Sequence, residues 1–183
     1  MNKSLKFLLA INGIFVFAAN LLGPLYAVFV ETIDQKIFSV SLTWSIYLIA
    51  TTLTTYILFR LGDQLKEKEY LLIAGFLLRA VAWIGLAFSS SLIHIGMAQI
   101  IIGIGEALGS PAFDALFAEH LDKDKHIRDY SSWKIISNLF SAIATLAGGF
   151  LVASLGFTPL FLLMAAIAVI CSILVFLKPR SLL

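Results

Sequence analysis

Six long apolar runs separated by short polar stretches set the pattern of this chain: Leu5–Val30, Ile37–Phe59, Tyr70–Phe88, Leu92–Ala118, Trp133–Ala153 and Pro159–Leu177. Each approaches the ~20 apolar residues that a helix needs to cross hydrocarbon. A backbone in lipid must satisfy its own hydrogen bonds, so each run is predicted as a transmembrane helix. The connections are short, which predicts antiparallel neighbours and one domain over residues 1–183, with nothing left over for a soluble unit. The first run follows Lys3 and Lys6 as a signal peptide would, but it extends well past the ~7–15 residues of a signal core and reads as a first helix.

The polar positions inside the runs are patterned. At about 100° per residue, Gln99, Gly103, Glu106, Ser110, Phe113 and Phe117 share one face of segment four, with Asp114 at its edge. A carboxyl at that depth is costly in hydrocarbon, so Glu106 is a functional candidate by default. Segment one carries Asn12, Asn20 and Gly23-Pro24, with Tyr26 roughly aligned with Asn12 and Gly23. A proline there frees backbone groups for neighbours or cavity water, and a simple kink and a role at a binding site are both open. Segment two is rich in threonine, suited to packing or to lining a path. Segment three holds Arg79 at the depth of Glu106; a pair between them is compatible with the pattern but not required. In segment five, Lys134, Asn138, Ser141 and Thr145 follow helical spacing up to Gly148-Gly149. Lys134 falls level with Asp114, and the two are expected to pair, directly or through water. Segment six is almost uniformly aliphatic and aromatic and is expected to face lipid.

Composition and charge narrow the classes. Hydrophobic residues make up 60% of the chain and charged residues 13%, roughly half the ~25% charge of a soluble domain. With the N-terminus inside, one side of the membrane holds Lys3, Lys6, Arg60, Lys66, Lys68, Lys123, Lys125, Arg128, Lys178 and Arg180, and the other only Lys36. That asymmetry places both termini in the cytoplasm and the protein in the plasma (cytoplasmic) membrane. Cys171 is the single cysteine, so no disulfide forms within the chain, and the three scattered histidines make no metal site. No phosphate-binding glycine loop, His-Glu-x-x-His or Gly-x-Ser-x-Gly occurs, so the chain reads as neither an enzyme nor a cofactor or nucleic-acid binder.

Several stretches carry a family resemblance. The loop Arg60-Leu61-Gly62-Asp63-Gln64-Leu65-Lys66-Glu67-Lys68 is similar to Gly-x-x-x-Asp-Arg-x-Gly-Arg-Arg, a loop motif of the major facilitator superfamily of transporters. Asp63 matches its aspartate, while Phe59, Gln64 and Lys66-Glu67 depart from it. Gln99-x-x-x-Gly103-Ile104-Gly105 resembles the family's Arg-x-x-x-Gly-x-Gly without the arginine. Gly148-Gly149 and Leu155-Gly156-Phe157-Thr158-Pro159 resemble its fifth-helix ending, with Ala144-Thr145 where antiporters have Gly-Pro. The whole chain resembles one six-helix half of such a transporter. Leu22-Gly23-Pro24 in segment one and Leu108-Gly109-Ser110-Pro111 in segment four echo each other, as a three-plus-three inverted repeat would leave.

The resemblance implies a secondary transporter of a small solute working by alternating access. It also implies a homodimer about an axis along the membrane normal, each copy supplying one half. Segments one, two, four and five would then line the path, with three and six outside. Asp63 of one copy would face Ser131-Ser132-Trp133 of the other, a gating contact favoured at a helix N-terminus. Two copies of Glu106 near the axis would suit proton coupling or a cationic substrate. If Arg79 neutralises Glu106, the pair is structural and that coupling role lapses. A non-transporting accessory subunit, one half of a heterodimer and a fragment of a longer transporter are the alternative readings.

Overall fold

A computed structural model describes residues 3–61, 67–121 and 126–178, and every regular element among them is helical. They are α1 (Lys3–Leu22), α2 (Leu25–Glu31), α3 (Ile37–Leu61), α4 (Lys68–Ala87), α5 (Leu92–Glu119), α6 (His126–Leu155) and α7 (Phe157–Phe176). Six of them are long and apolar enough to cross a membrane, which agrees with an all-α integral membrane protein.

Local chemistry sets the breaks. The first apolar run divides at Gly23-Pro24: Gly23 takes φ +34, and Pro24, lacking an N–H, precedes the short α2. Pro111 has no such effect and stays inside a continuous α5. Ser91 caps α5 by accepting from the His94 N–H. Gly156, at φ +81, turns the chain between α6 and α7 while its N–H bonds the Val152 carbonyl at 2.9 Å. The helix α6 starts at His126, seven residues before the apolar run predicted at Trp133. Hydropathy marks only the stretch that lipid touches; the helix continues into polar residues, with Asp129 in the favourable first turn.

Close approaches fix the packing. The antiparallel pair α4–α5 runs from Lys68 against Glu119, past Gly75 against Gly109, to Arg79 against Glu106. The helix α3 lies alongside α5, where a Cβ at Gly103 would stand 2.7 Å from the Tyr47 carbonyl oxygen. The helix α6 lies alongside α1, where a Cβ at Gly148 would stand 1.9 Å from the Leu21 carbonyl oxygen. Such contacts are available only to small residues, the usual means of joining helices in lipid. Thus α1 packs on α6 and α7, α5 packs on α3 and α4, and α4 packs on α7. Exchanging the first three spans with the last three maps these five pairings onto one another, while the lighter α6–α7 packing has no counterpart of its weight between α3 and α4.

The expectation that segment six faces lipid holds for one side only. Leu162, Ile170 and Ile173 are exposed, whereas Leu160, Phe161, Met164, Ala168 and Cys171 are fully or almost fully buried, with Phe161 edge-on to Phe29 at 4.7 Å and the Cys171 thiol 3.7 Å from the Ile11 carbonyl oxygen. A helix that is apolar all round has no periodicity to announce which side packs. Only the neighbouring helices decide that.

Candidate functional site

The site is built around Arg79 on α4. Its side chain lies in a slot on α5 made by Gly105 and Gly109, where added Cβ atoms would stand 3.0 Å from its Cγ and 2.6 Å from its Nη2. The guanidinium reaches three partners from there. Nη1 lies 3.0 Å from Glu106 Oε2, Nη2 donates to the Gly105 carbonyl oxygen at 3.1 Å, and the planar group covers the Phe15 ring at 4.6 Å from its centroid. Nε is buried with no hydrogen-bond partner among the described residues. Arg79 is 7% exposed. The Glu106 side chain keeps 31% of its surface, and its Oε1 accepts from the Ser110 hydroxyl one turn on. Burying two charges is costly unless each stays paired.

The pair stands between two cavities, of about 290 Å³ and 330 Å³, whose walls share Ala19, Asn20, Arg79 and Glu106. The smaller extends toward the chain-terminal end, past Asn12, Phe76, Ser110, Phe113, Asp114 and Trp133. The larger extends the other way, past Tyr26, Trp44, Tyr47, Trp83 and Gln99. Tyr26 closes its far side by donating to Thr43 Oγ1 at 2.6 Å, while Thr43 donates to the Ser39 carbonyl at 2.8 Å. The break at Gly23-Pro24 is what turns Tyr26 toward α3.

The structure therefore brings Glu106, Arg79, Asn12, Asn20, Tyr26, Gln99, Ser110 and Asp114 onto the walls of two adjoining cavities. Other candidates are elsewhere. Asn138 is exposed, and Ser141 is half-buried, its carbonyl taken by Thr145 Oγ1 at 2.9 Å. Lys134 and Asp114 are both exposed and form no direct ion pair, which corrects the direct form of the expected pairing. Trp133 packs against Phe113 here, rings 5.2 Å apart, a contact that depth along the membrane does not reveal. Asp63 lies outside the described residues.

Two further corrections concern the walls. Segment three, expected outside the path, supplies Leu72, Phe76, Arg79 and Trp83 to them. Glu106 is paired with Arg79, so it does not meet the condition set for a lone proton-coupling carboxylate. Of the aromatic walls, Phe113 and Tyr26 were singled out from sequence but Phe76, Trp44, Tyr47 and Trp83 were not, because an aromatic residue in an apolar helix carries no mark of facing a cavity. Gly105 and Gly109 did carry one, a four-residue spacing of small residues opposite a buried arginine.

A family model described as Major Facilitator Superfamily matches residues 8–182. A protein of Bacillus subtilis (strain 168), described as the uncharacterized MFS-type transporter YitZ, is 26% identical over 138 residues. The alignment takes in 74% of this chain and 82% of that relative, so the two are of comparable length.

Proposed function

Because the chain belongs to the major facilitator superfamily, a family of membrane transporters, we propose that it is a secondary transporter of a small solute. It acts as a homodimer in which each copy forms one wall of a shared path. One observation carries the dimer. Only 11% of the residues in the apolar windows of α3 and α6 are buried within the chain, against 44% in α4, α5 and α7 and 50% in α1. The exposed residues on these two helices include Thr52, Thr55, Lys134 and Asn138, which suit a protein partner better than acyl chains. A second copy in the same orientation supplies such a face, and the exchange of packing partners between the two helix triplets supports the inverted-repeat reading.

The partition between the two cavities supports alternating access, with the Arg79–Glu106 pair as the barrier that a solute passes when the copies rock against each other. The resemblance and the lysine and arginine count support cytoplasmic termini and a plasma-membrane location. Proton coupling through a lone Glu106 is set aside in favour of a binding and gating role for the pair.

Native mass spectrometry in lipid nanodiscs tests the assembly, together with disulfide crosslinking of Asn138→Cys in native membranes. The native Cys171 is buried and does not interfere. A two-chain mass and a crosslinked dimer are expected. A monomer with no self-crosslink overturns the shared path and leaves an accessory subunit or a partner chain of different sequence.

A further inference from the structure

We infer that the Arg79–Glu106 pair is the recognition site for a zwitterionic solute, an ammonium and a carboxylate joined to an apolar or aromatic body, of which a neutral amino acid is the simplest case. The inference rests on the transporter reading and gives it a substrate class.

The position of the pair is the first argument. With Ala19 and Asn20 it forms the common wall of the two cavities, each near the lower size of small-ligand pockets, so both side chains are in reach of a solute in either. Charge is the second. A solute bearing only an ammonium would take Glu106 and strand Arg79, which is 7% exposed and has no other carboxylate within ion-pair distance among the described residues. A solute bearing only a carboxylate would take Arg79 and leave Glu106 without its guanidinium. A solute with both charges inserts between them and leaves neither uncompensated.

Spare bonding capacity is the third argument. Arg79 meets Glu106 through Nη1 alone, and its Nε–H, in the same plane, is buried without an acceptor. Guanidinium presents paired N–H groups that match a carboxylate two to two, so a second carboxylate satisfies the donor that Glu106 leaves idle. Glu106 turns its remaining surface to the cavities beside Asn20. The Asn20 amide nitrogen donates to the Val16 carbonyl at 2.8 Å, which leaves its side-chain oxygen to accept from an ammonium. The aromatic rings of Tyr26, Trp44, Tyr47 and Trp83 on the larger cavity supply the surface for the apolar body.

The test uses the wild-type protein in nanodiscs and three probes of one shape: L-phenylalanine, 2-phenylethylamine and 3-phenylpropionate. Binding is read as quenching of the tryptophans, two of which line the larger cavity, and as a rise in melting temperature. Phenylalanine is expected to bind at least about tenfold more tightly than either analogue with one charge. Equal binding of the amine or of the acid overturns the proposal, as does no response to phenylalanine at millimolar concentration. Counterflow of labelled phenylalanine in proteoliposomes is read separately. Selective binding without flux upholds this site and removes the transporter reading; flux of the amine as fast as that of phenylalanine upholds the transporter and removes this site.

Discussion

The guanidinium of Arg79 occupies the space that a side chain at Gly109 would fill, since a Cβ there would lie 2.6 Å from Nη2. Gly109→Ala should therefore push the group off its 3.0 Å contact with Glu106 and cost about 1–3 kcal/mol, the usual range for overpacking. Gly85 is the control, because a Cβ added there meets nothing within 4 Å. Gly85→Ala should be neutral or stabilising by up to about 1 kcal/mol. Thermal melting of the two variants in one detergent checks the contrast, and equal melting points would refute it.

The two halves of the ion pair should not be equivalent. Glu106→Met leaves a guanidinium in a site 8% exposed, and losing one partner of a buried pair costs about 3–5 kcal/mol. Arg79→Met leaves a carboxylate that is 31% exposed to the cavities, where water or a proton can relieve it, so the loss should be smaller. The double variant should recover much of the loss of Glu106→Met. A double-mutant cycle of melting curves measures all three, and purely additive single losses would show that the pair does not couple.

Adjacent glycines on α6 offer a second internal control. A Cβ at Gly148 would stand 1.9 Å from the Leu21 carbonyl oxygen, whereas one at Gly149 meets nothing within 4 Å. Gly148→Ala should force α1 and α6 apart and lower yield and melting temperature, while Gly149→Ala leaves both unchanged. Fluorescence-detected gel filtration of membrane extracts distinguishes them in one run.

The turn before α3 should respond to acid. Asp34 accepts from the Ser39 hydroxyl at 2.7 Å and from the Lys36 N–H at 3.3 Å, and the Ser39 bond is the main cause holding its carboxyl below the usual aspartate value. A carboxyl lowered in the folded state stabilises the fold above its unfolded value near pH 4, and the contribution is lost as pH falls through the folded value. Hydrogen exchange in the first turn of α3 should thus stay slow down to about pH 4 and quicken below it. Asp34→Asn should remove that step. A step of the same size in the variant would assign it to another group.

Legibility divides between two kinds of information. That the chain is a set of six helices in a membrane was present in the apolar runs, because lipid imposes a length and a composition on any span. The same was true of the need of Glu106 and Arg79 for a partner, since charges at mid-depth survive only when paired, and of the break at Gly23-Pro24, a matter of backbone geometry at two residues. Depth along the membrane also suggested the Arg79–Glu106 pair, though it equally suggested Asp114 with Lys134, which make no direct ion pair. Depth is one coordinate; the rotation of each helix about its axis is another. Rotation is set by which small residues allow close approach, such as Gly75 against Gly109 and Gly148 against Leu21. Only the tertiary structure decided those contacts, and with them the burial of α7, the entry of α4 into the cavity walls and the aromatic lining. A helix apolar on every side has no preferred face until its neighbours are in place.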